Sequence, residues 1–408
     1  MILKNCKLVP ELTEANAPVM ADVIVKGSLI EAVVPCGSAD ADGHEVIDLD
    51  GATLLPGLID AHVHLFNGKR SGGFTLGDRD MAPSQWAYDA YAFAKWFLDN
   101  GYTTIRDVGD ESNYCGIATR NAIQEGIVVG PRVFCSGMTI VPLTAGFNTF
   151  EFMCAFYGNK EEIRSQARNQ FYHGADFLKL YGTGSMLVED SMPGRRIMLE
   201  DEISEAVAVA RLRGSYCAVH CHGAEACDVM VDLGVRTIEH ASFISDETCR
   251  KLDGRKDAGL VPTISCSLPE AQGITRESGA VYDRFENISA ERDACIRNAG
   301  ENYDILMGWG TDMDIMTMEK TPYIEWKARK DRLGFSNIDL LKQATINSAI
   351  LMGVDDKIGS IAAGKFKPFR FQRWNRKGLN FLNGTQGDGS ESRPFLIKNR
   401  EQLMGLSE

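Results

Sequence analysis

Apolar and polar positions change their spacing near residue 55. Before it, short runs at 21–26, 29–34 and 45–49 are separated by Gly27-Ser28 and by a stretch from Gly37 to Gly43. Such runs bounded by turn residues predict β-strands. Beyond Pro56-Gly57, strand-like runs alternate with segments that repeat every three to four residues, the pattern of a parallel sheet with crossover helices. Strands are predicted at 58–65, 102–108, 132–136, 176–181, 217–220, 236–240, 260–264 and 305–312. Helices are predicted at 85–98, 119–124, 161–172, 202–213, 226–233 and 247–258. Ser336 is placed to cap a last long helix to residue 351, with Asp339 in its first turn.

Eight strands fit a (β/α)8 barrel, which takes about 250 residues, and the 408-residue chain leaves room for a smaller unit besides. A hydrophobic content of 44% and a charged content of 24% suit a globular enzyme. A net charge of −13 argues against nucleic acid or an anionic membrane surface as the main partner. The 11 cysteines form no Cys-x-x-Cys pair, so neither a disulfide framework nor a zinc finger is indicated. The first residues lack an apolar signal core, and no run reaches the roughly 18 apolar residues of a membrane helix. These features predict a cytoplasmic protein.

Chemistry concentrates at the predicted strand ends. His62 and His64, one step apart on a strand, share a face and can hold one metal ion between them. Alone, a His-x-His pair fits two satisfied or exposed histidines equally well. Lys179 lies in an apolar strand, where an inward amine is costly unless it is neutralised or modified. His220 and His222 share a face, His240 follows Ile238-Glu239, and Asp312 closes Gly310-Thr311-Asp312. His44 and His173 fall in loop or helix-end settings and take no role. Asp314 is a weaker rival to Asp312.

The run from Pro56 to His64 (Pro-Gly-Leu-Ile-Asp-Ala-His-Val-His), with Phe-Leu-Lys-Leu-Tyr at 177–181, His-Cys-His-Gly at 220–223, Ile-Glu-His-Ala-Ser at 238–242 and Gly-Thr-Asp at 310–312, resembles the amidohydrolase superfamily over residues 20 to 365. It is most similar to the binuclear, imidazolonepropionase-like branch that holds prolidase-type and Xaa-Arg/Lys dipeptidases. The resemblance implies a TIM-type barrel at 57–354 and a small β-sandwich built from 1–56 and 355–408. It implies a carbamate on Lys179 and two divalent metals, zinc by first choice, on His62, His64, Lys179, His220, His240 and Asp312. Asp312, His240 and Tyr181 are the implied catalytic groups. His222 and Tyr181, with Arg195 or Arg196 from the loop 191–196, are the candidate substrate contacts. The expected reaction is attack by a metal-bridging hydroxide on the amide of a dipeptide or N-acyl amino acid, Xaa-Pro first. The alternative is a mononuclear deaminase or cyclic-amide hydrolase, but those enzymes carry an acidic residue where this chain has Gly223. The expected partners are a small-molecule substrate and further copies of the chain in a homo-oligomer.

One stretch departs from the superfamily pattern. After 357–365 a strand of Ala-Asp-Leu-Val type is expected to rejoin the small domain. Residues 366–378 are instead basic and aromatic, and 383–393 are rich in Gly and Ser. This reads as a partner-binding loop, a locally divergent segment or a coding artefact.

Overall fold

Alternation in the first fifty residues yields β1 (Ile2–Leu8), β2 (Met20–Lys26), β3 (Leu29–Pro35), β4 (Val46–Asp48) and β5 (Thr53–Leu54). They form one sheet ordered β3-β2-β1-β4, with β5 also against β1. The computed structural model describes residues 1–69, 81–144, 151–185, 193–272 and 274–368. The inner face of this sheet buries Leu3, Cys6, Leu8, Val23, Val25, Ile30 and Ile47 around Ile361, which comes from the far end of the chain. Ile361 donates its N–H to Leu12 at 2.8 Å, Gly364 donates to Ile30 at 2.9 Å, and Phe366 bridges to Leu29. Residues 361–367 therefore do return to the first sheet. The atypical stretch from 369 onward lies outside the described residues.

Among the described residues, the strands named from residue 58 onward pair in parallel. β6 (Leu58–Val63), β7 (Tyr102–Asp107) and β8 (Arg132–Cys135) form one sheet. The second comprises β9 (Thr139–Pro142), β10 (Cys154–Tyr157), β11 (Leu178–Tyr181), β12 (Cys217–Cys221), β13 (Thr237–His240) and β14 (Gly259–Val261), in the order β10-β9-β11-β12-β13-β14. Asp176 N–H reaches the Cys135 carbonyl at 2.7 Å, linking the approach to β11 with β8. On the other side the segment 306–312 runs between β14 and β6. Gly308 N–H bonds to Leu260, Ala61 N–H to Trp309 and Asp312 N–H to His62. The predicted eighth strand is thus in place, but as an irregular segment whose one bridge pairs Met307 with Leu260. Its glycines allow a close approach: a Cβ on Gly310 would press into His62 Cβ at 2.6 Å.

The helices alternate with these strands and present apolar faces to them. They are α1 (Pro83–Asp99), α2 (Cys115–Gln124), α3 (Lys160–Tyr172), α4 (Glu200–Leu212), α5 (Ala224–Asp232) and α6 (Asp246–Leu252). Asn159 caps α3 through the N–H of Glu162 at 3.0 Å, and Gly174, at φ +101°, follows its end. The helix α6 stops at Leu252, six residues before the predicted end. Three helices were not read in the sequence: α7 (Ala280–Asn302), α8 (Ile315–Lys320) and α9 (Ile324–Leu333). The predicted last helix is present from α10 (Asn337–Lys342) through a π-turn into α11 (Ser348–Met352), and Ser336 caps it through Asp339 N–H at 3.2 Å.

Because Ile361 is 1% exposed and sits inside the first sheet's core, Ile361→Ala should destabilise the protein by about 2–5 kcal/mol. Urea denaturation followed by tryptophan fluorescence checks this. A change below about 0.5 kcal/mol, the size typical of surface substitutions, would show that the returning segment is not part of that core.

Candidate metal centre

The C-terminal ends of the parallel strands bring the sequence-predicted ligands together. His62 lies on β6 with His64 just beyond it, Lys179 on β11, His220 on β12, His240 at the end of β13 and Asp312 at the end of the irregular segment. Asp312 Oδ1 stands 3.6 Å from His62 Nε2 and 3.5 Å from His64 Nε2. The imidazoles form a chain with ring centroids 5.0 Å apart for His62–His240 and 4.5 Å apart for His220–His240. Two triplets, His62-His240-Asp312 and His220-His222-His240, each bring their ligand atoms within 4.8 Å of one another. His222 is therefore nearer the ligand cluster than a substrate role alone would require.

Backbone conformation aims several of these groups. His240, Ala241, Thr263 and Asp312 all have positive φ, between +42° and +71°. Non-glycine residues in that region cost about 1–3 kcal/mol each and cluster at functional sites. Here the turn at each strand end swings a side chain over the sheet instead of continuing the pleat.

Each imidazole is held by a second partner. His62 Nδ1 lies 2.7 Å from Glu239 Oε2, and His64 Nδ1 lies 3.1 Å from the Gly109 carbonyl. His220 Nε2 lies 3.2 Å from the Gly184 carbonyl. Those acceptors require a proton on the ring nitrogen they face. The lone pair is thereby assigned to Nε2 of His62 and His64 and to Nδ1 of His220. His222 Nδ1 pairs with Ser242 Oγ at 2.8 Å and His240 Nδ1 with Thr263 Oγ1 at 2.6 Å. Burial, reinforced by the nearby Lys179 charge, lowers the pKa of all five rings and keeps them in the neutral form a metal needs.

Lys179 is 2% exposed, and burial pushes its amine down to about 8 against the pull of Glu239 and Asp312. Asp312 Oδ1 is buried without a hydrogen-bond partner. Neutral imidazoles, an unsatisfied carboxylate oxygen and a buried lysine, all converging at strand ends, fit a divalent-metal donor set. A third grouping, Asp110-Glu111-Cys115, is occupied differently. Asp110 accepts from the N–H groups of Gly116 and Ile117 at the start of α2, and Glu111 accepts from Asn113 and Cys115.

The other predicted contacts are dispersed. Tyr181 stacks on His220 with centroids 4.0 Å apart. Arg195 is exposed, and its carbonyl accepts from Gly184 N–H at 3.1 Å. The Arg196 guanidinium is engaged by Glu225 at 3.1 Å and by the Met198 carbonyl at 2.9 Å. Gly223 packs directly under Gly194, whose carbonyl oxygen a Cβ at 223 would overlap.

Sequence reasoning passed over Glu239, Arg106 and Asp60. Glu239 and Arg106 are both 0% exposed, and Asp60 Oδ1 accepts from His62 N–H at 3.1 Å and Thr311 N–H at 3.2 Å. The available signal was a charged residue inside an apolar strand, in Thr104-Ile-Arg-Asp107 and Thr237-Ile-Glu-His240, since such a charge must find a buried partner.

Known proteins resemble this chain in sequence and in fold. The model of the amidohydrolase family matches residues 53–366. An ochratoxinase from Aspergillus niger is 25% identical over 328 residues, covering 74% of this chain, which spans 65% of that enzyme's length. A dihydroorotase from Streptomyces coelicolor is 25% identical over 349 residues, covering 77% of this chain and 79% of the enzyme. A solved Xaa-Pro dipeptidase with methionine bound in its active site superposes with a TM-score of 0.77 at 24% identity, covering 90% of this chain and 91% of the other. That superposition is a likeness of fold, of mixed α/β type. The chain belongs to the amidohydrolase family.

Proposed function

We propose that the protein hydrolyses the amide bond of dipeptides or N-acyl amino acids, Xaa-Pro dipeptides first, at a centre of two divalent metals, zinc by choice. The ligands would be His62, His64, Lys179 as its carbamate, His220, His240 and Asp312, on strands that the 306–312 segment closes into a barrel. The observation that carries this reading is Lys179, buried on β11 close to imidazoles that burial keeps neutral. Such a lysine suits a bridging anion once carboxylated and has no evident use in a mononuclear site.

When bound, the metals would supply Lewis acidity toward the scissile carbonyl and an acidified water. The chain's own groups do the rest. Asp312 Oδ1, lacking a hydrogen-bond partner, takes the proton of the attacking water and delivers it to the leaving amine. His240, at the end of β13, brings a ring nitrogen within 4.8 Å of an Asp312 oxygen. The Tyr181 hydroxyl, its pKa raised by burial, remains protonated and can donate to the developing oxyanion. His222, and Arg195 from its exposed loop, are the remaining candidates to receive the substrate's carboxylate. Arg196 would first have to leave Glu225.

The dihydroorotase likeness keeps the cyclic-amide reading as the second one. Against the deaminase form of it stands Gly223. The backbone there leaves no room for the acidic side chain that deaminases use, because Gly194 lies against it.

Asp312→Asn should retain metal measured by elemental analysis while kcat falls about 10²- to 10⁴-fold, the usual cost of losing a general base. Near-normal kcat would assign the proton transfer to another group. A panel of Xaa-Pro dipeptides, N-acyl amino acids, their C-terminal amides, cyclic ureas and aminated heterocycles tests the substrate class with zinc-loaded enzyme. Free acids should exceed their amides by about tenfold or more in kcat/KM, since one buried unpaired donor costs about 1–3 kcal/mol. Turnover confined to the cyclic ureas or the heterocycles would replace this reading by the second.

A further inference from the structure

The side-chain hydrogen bonds of Arg106 go to Ala61, Thr237 and Glu239, which are not among the six proposed ligands. Arg106 leaves β7 and crosses the interior between the strands, fully buried. Its Nε donates to the Ala61 carbonyl at 2.6 Å, Nη1 to Thr237 Oγ1 at 3.1 Å and Nη2 to Glu239 Oε1 at 2.8 Å. Thr237 Oγ1 in turn donates to the same Oε1 at 2.5 Å. The other oxygen, Oε2, is the one that takes His62 Nδ1–H at 2.7 Å. One guanidinium therefore grips the residue before His62 on β6 and the residue before His240 on β13. It also fixes which oxygen of Glu239 is left for His62.

We propose that Arg106 and Glu239 form a positioning pair that sets the ring orientation and tautomer of His62 and the spacing between His62 and His240. The proposal rests on the metal-centre reading above. The arrangement has the required geometry. Arg106 satisfies three acceptors from a planar fork, and both Glu239 oxygens are paired, Oε1 by Arg106 and Thr237 and Oε2 by His62. Arg106 Nη2 lies 2.8 Å from Oε1 in an ion pair with no solvent exposure, so the acceptor facing His62 is a carboxylate. A charged acceptor on Nδ1–H raises the basicity of Nε2, the nitrogen turned toward Asp312 and the ligand cluster. Phe177 packs its ring 5.3 Å from Arg106 Cζ and closes the remaining side.

Second partners of this kind change metal affinity by about 10- to 100-fold when removed. The test uses purified zinc-loaded protein in competition with a chromogenic chelator. Wild type measures the metal-centre reading itself, because failure to bind zinc defeats that reading without reference to Arg106. Glu239→Gln, and the charge-neutral double variant Arg106→Met/Glu239→Gln, should lose zinc at least tenfold more readily while their circular dichroism stays that of wild type. A folded variant with wild-type zinc affinity overturns the proposal. Should both variants fail to fold, ¹⁵N-histidine NMR of the metal-free wild type decides. His62 is expected as the Nδ1–H tautomer with a strongly downfield proton, and an Nε2–H tautomer for His62 would falsify the positioning role.

Discussion

Glu239 carries its charge with no solvent exposure, and the strands around it are organised by that constraint. An ion removed from solvent costs several kcal/mol even after relaxation. Three donors from three strands offset the cost: His62 on β6, Arg106 on β7 and Thr237 on β13. For these to meet, the strands must cross the interior at fixed relative heights. The carboxylate thus acts as a gauge of register for segments far apart in sequence. Asp60 performs the same service between β6 and the irregular segment, accepting the N–H groups of His62 and Thr311. Burial pushes its carboxyl up to about 7.

Above this polar floor the strand ends depart from ideal geometry. Positive φ at His240, Thr263 and Asp312 is tolerated because each residue is pinned on another side: His240 Nδ1 and Thr263 Oγ1 by each other, and Asp312 by its N–H to the His62 carbonyl. Strain and site coincide, as expected where side chains must be aimed more exactingly than a regular strand allows. The order of construction is a neutralised floor, then bent strand ends, then converging rings.

Much of this was legible in the sequence because the relevant residues break a pattern. His62, Lys179 and His240 interrupt apolar strands, and an ionisable group there has few innocent explanations. Arg106 and Glu239 break it in the same way. They were missed because each has a partner that becomes a neighbour only in three dimensions. The helix α7 escaped for the opposite reason. Its inward face carries Ser289, Arg292 and Asp293, all buried, with Arg292 bonded to Ile264, Ser267 and Asp293. Set between the buried Phe285 and Ile296, these polar residues interrupt the apolar period that sequence reading depends on. The strands β9 and β10 were also not read, although β8, β11 and β13 are equally short.

The return of residues 361–367 to the first sheet has a consequence in time. Glu14 accepts the N–H of Ala363, 349 positions further along the chain. At a synthesis rate of about 5–20 residues per second, β1 and β2 emerge roughly 20 to 70 s before the segment that completes their core. During that interval the apolar face holding Leu3, Val23 and Ile47 lacks Ile361. The strands made first are therefore among the last to be finished, and a nascent chain must keep them from pairing with anything else until the parallel strands have been laid down.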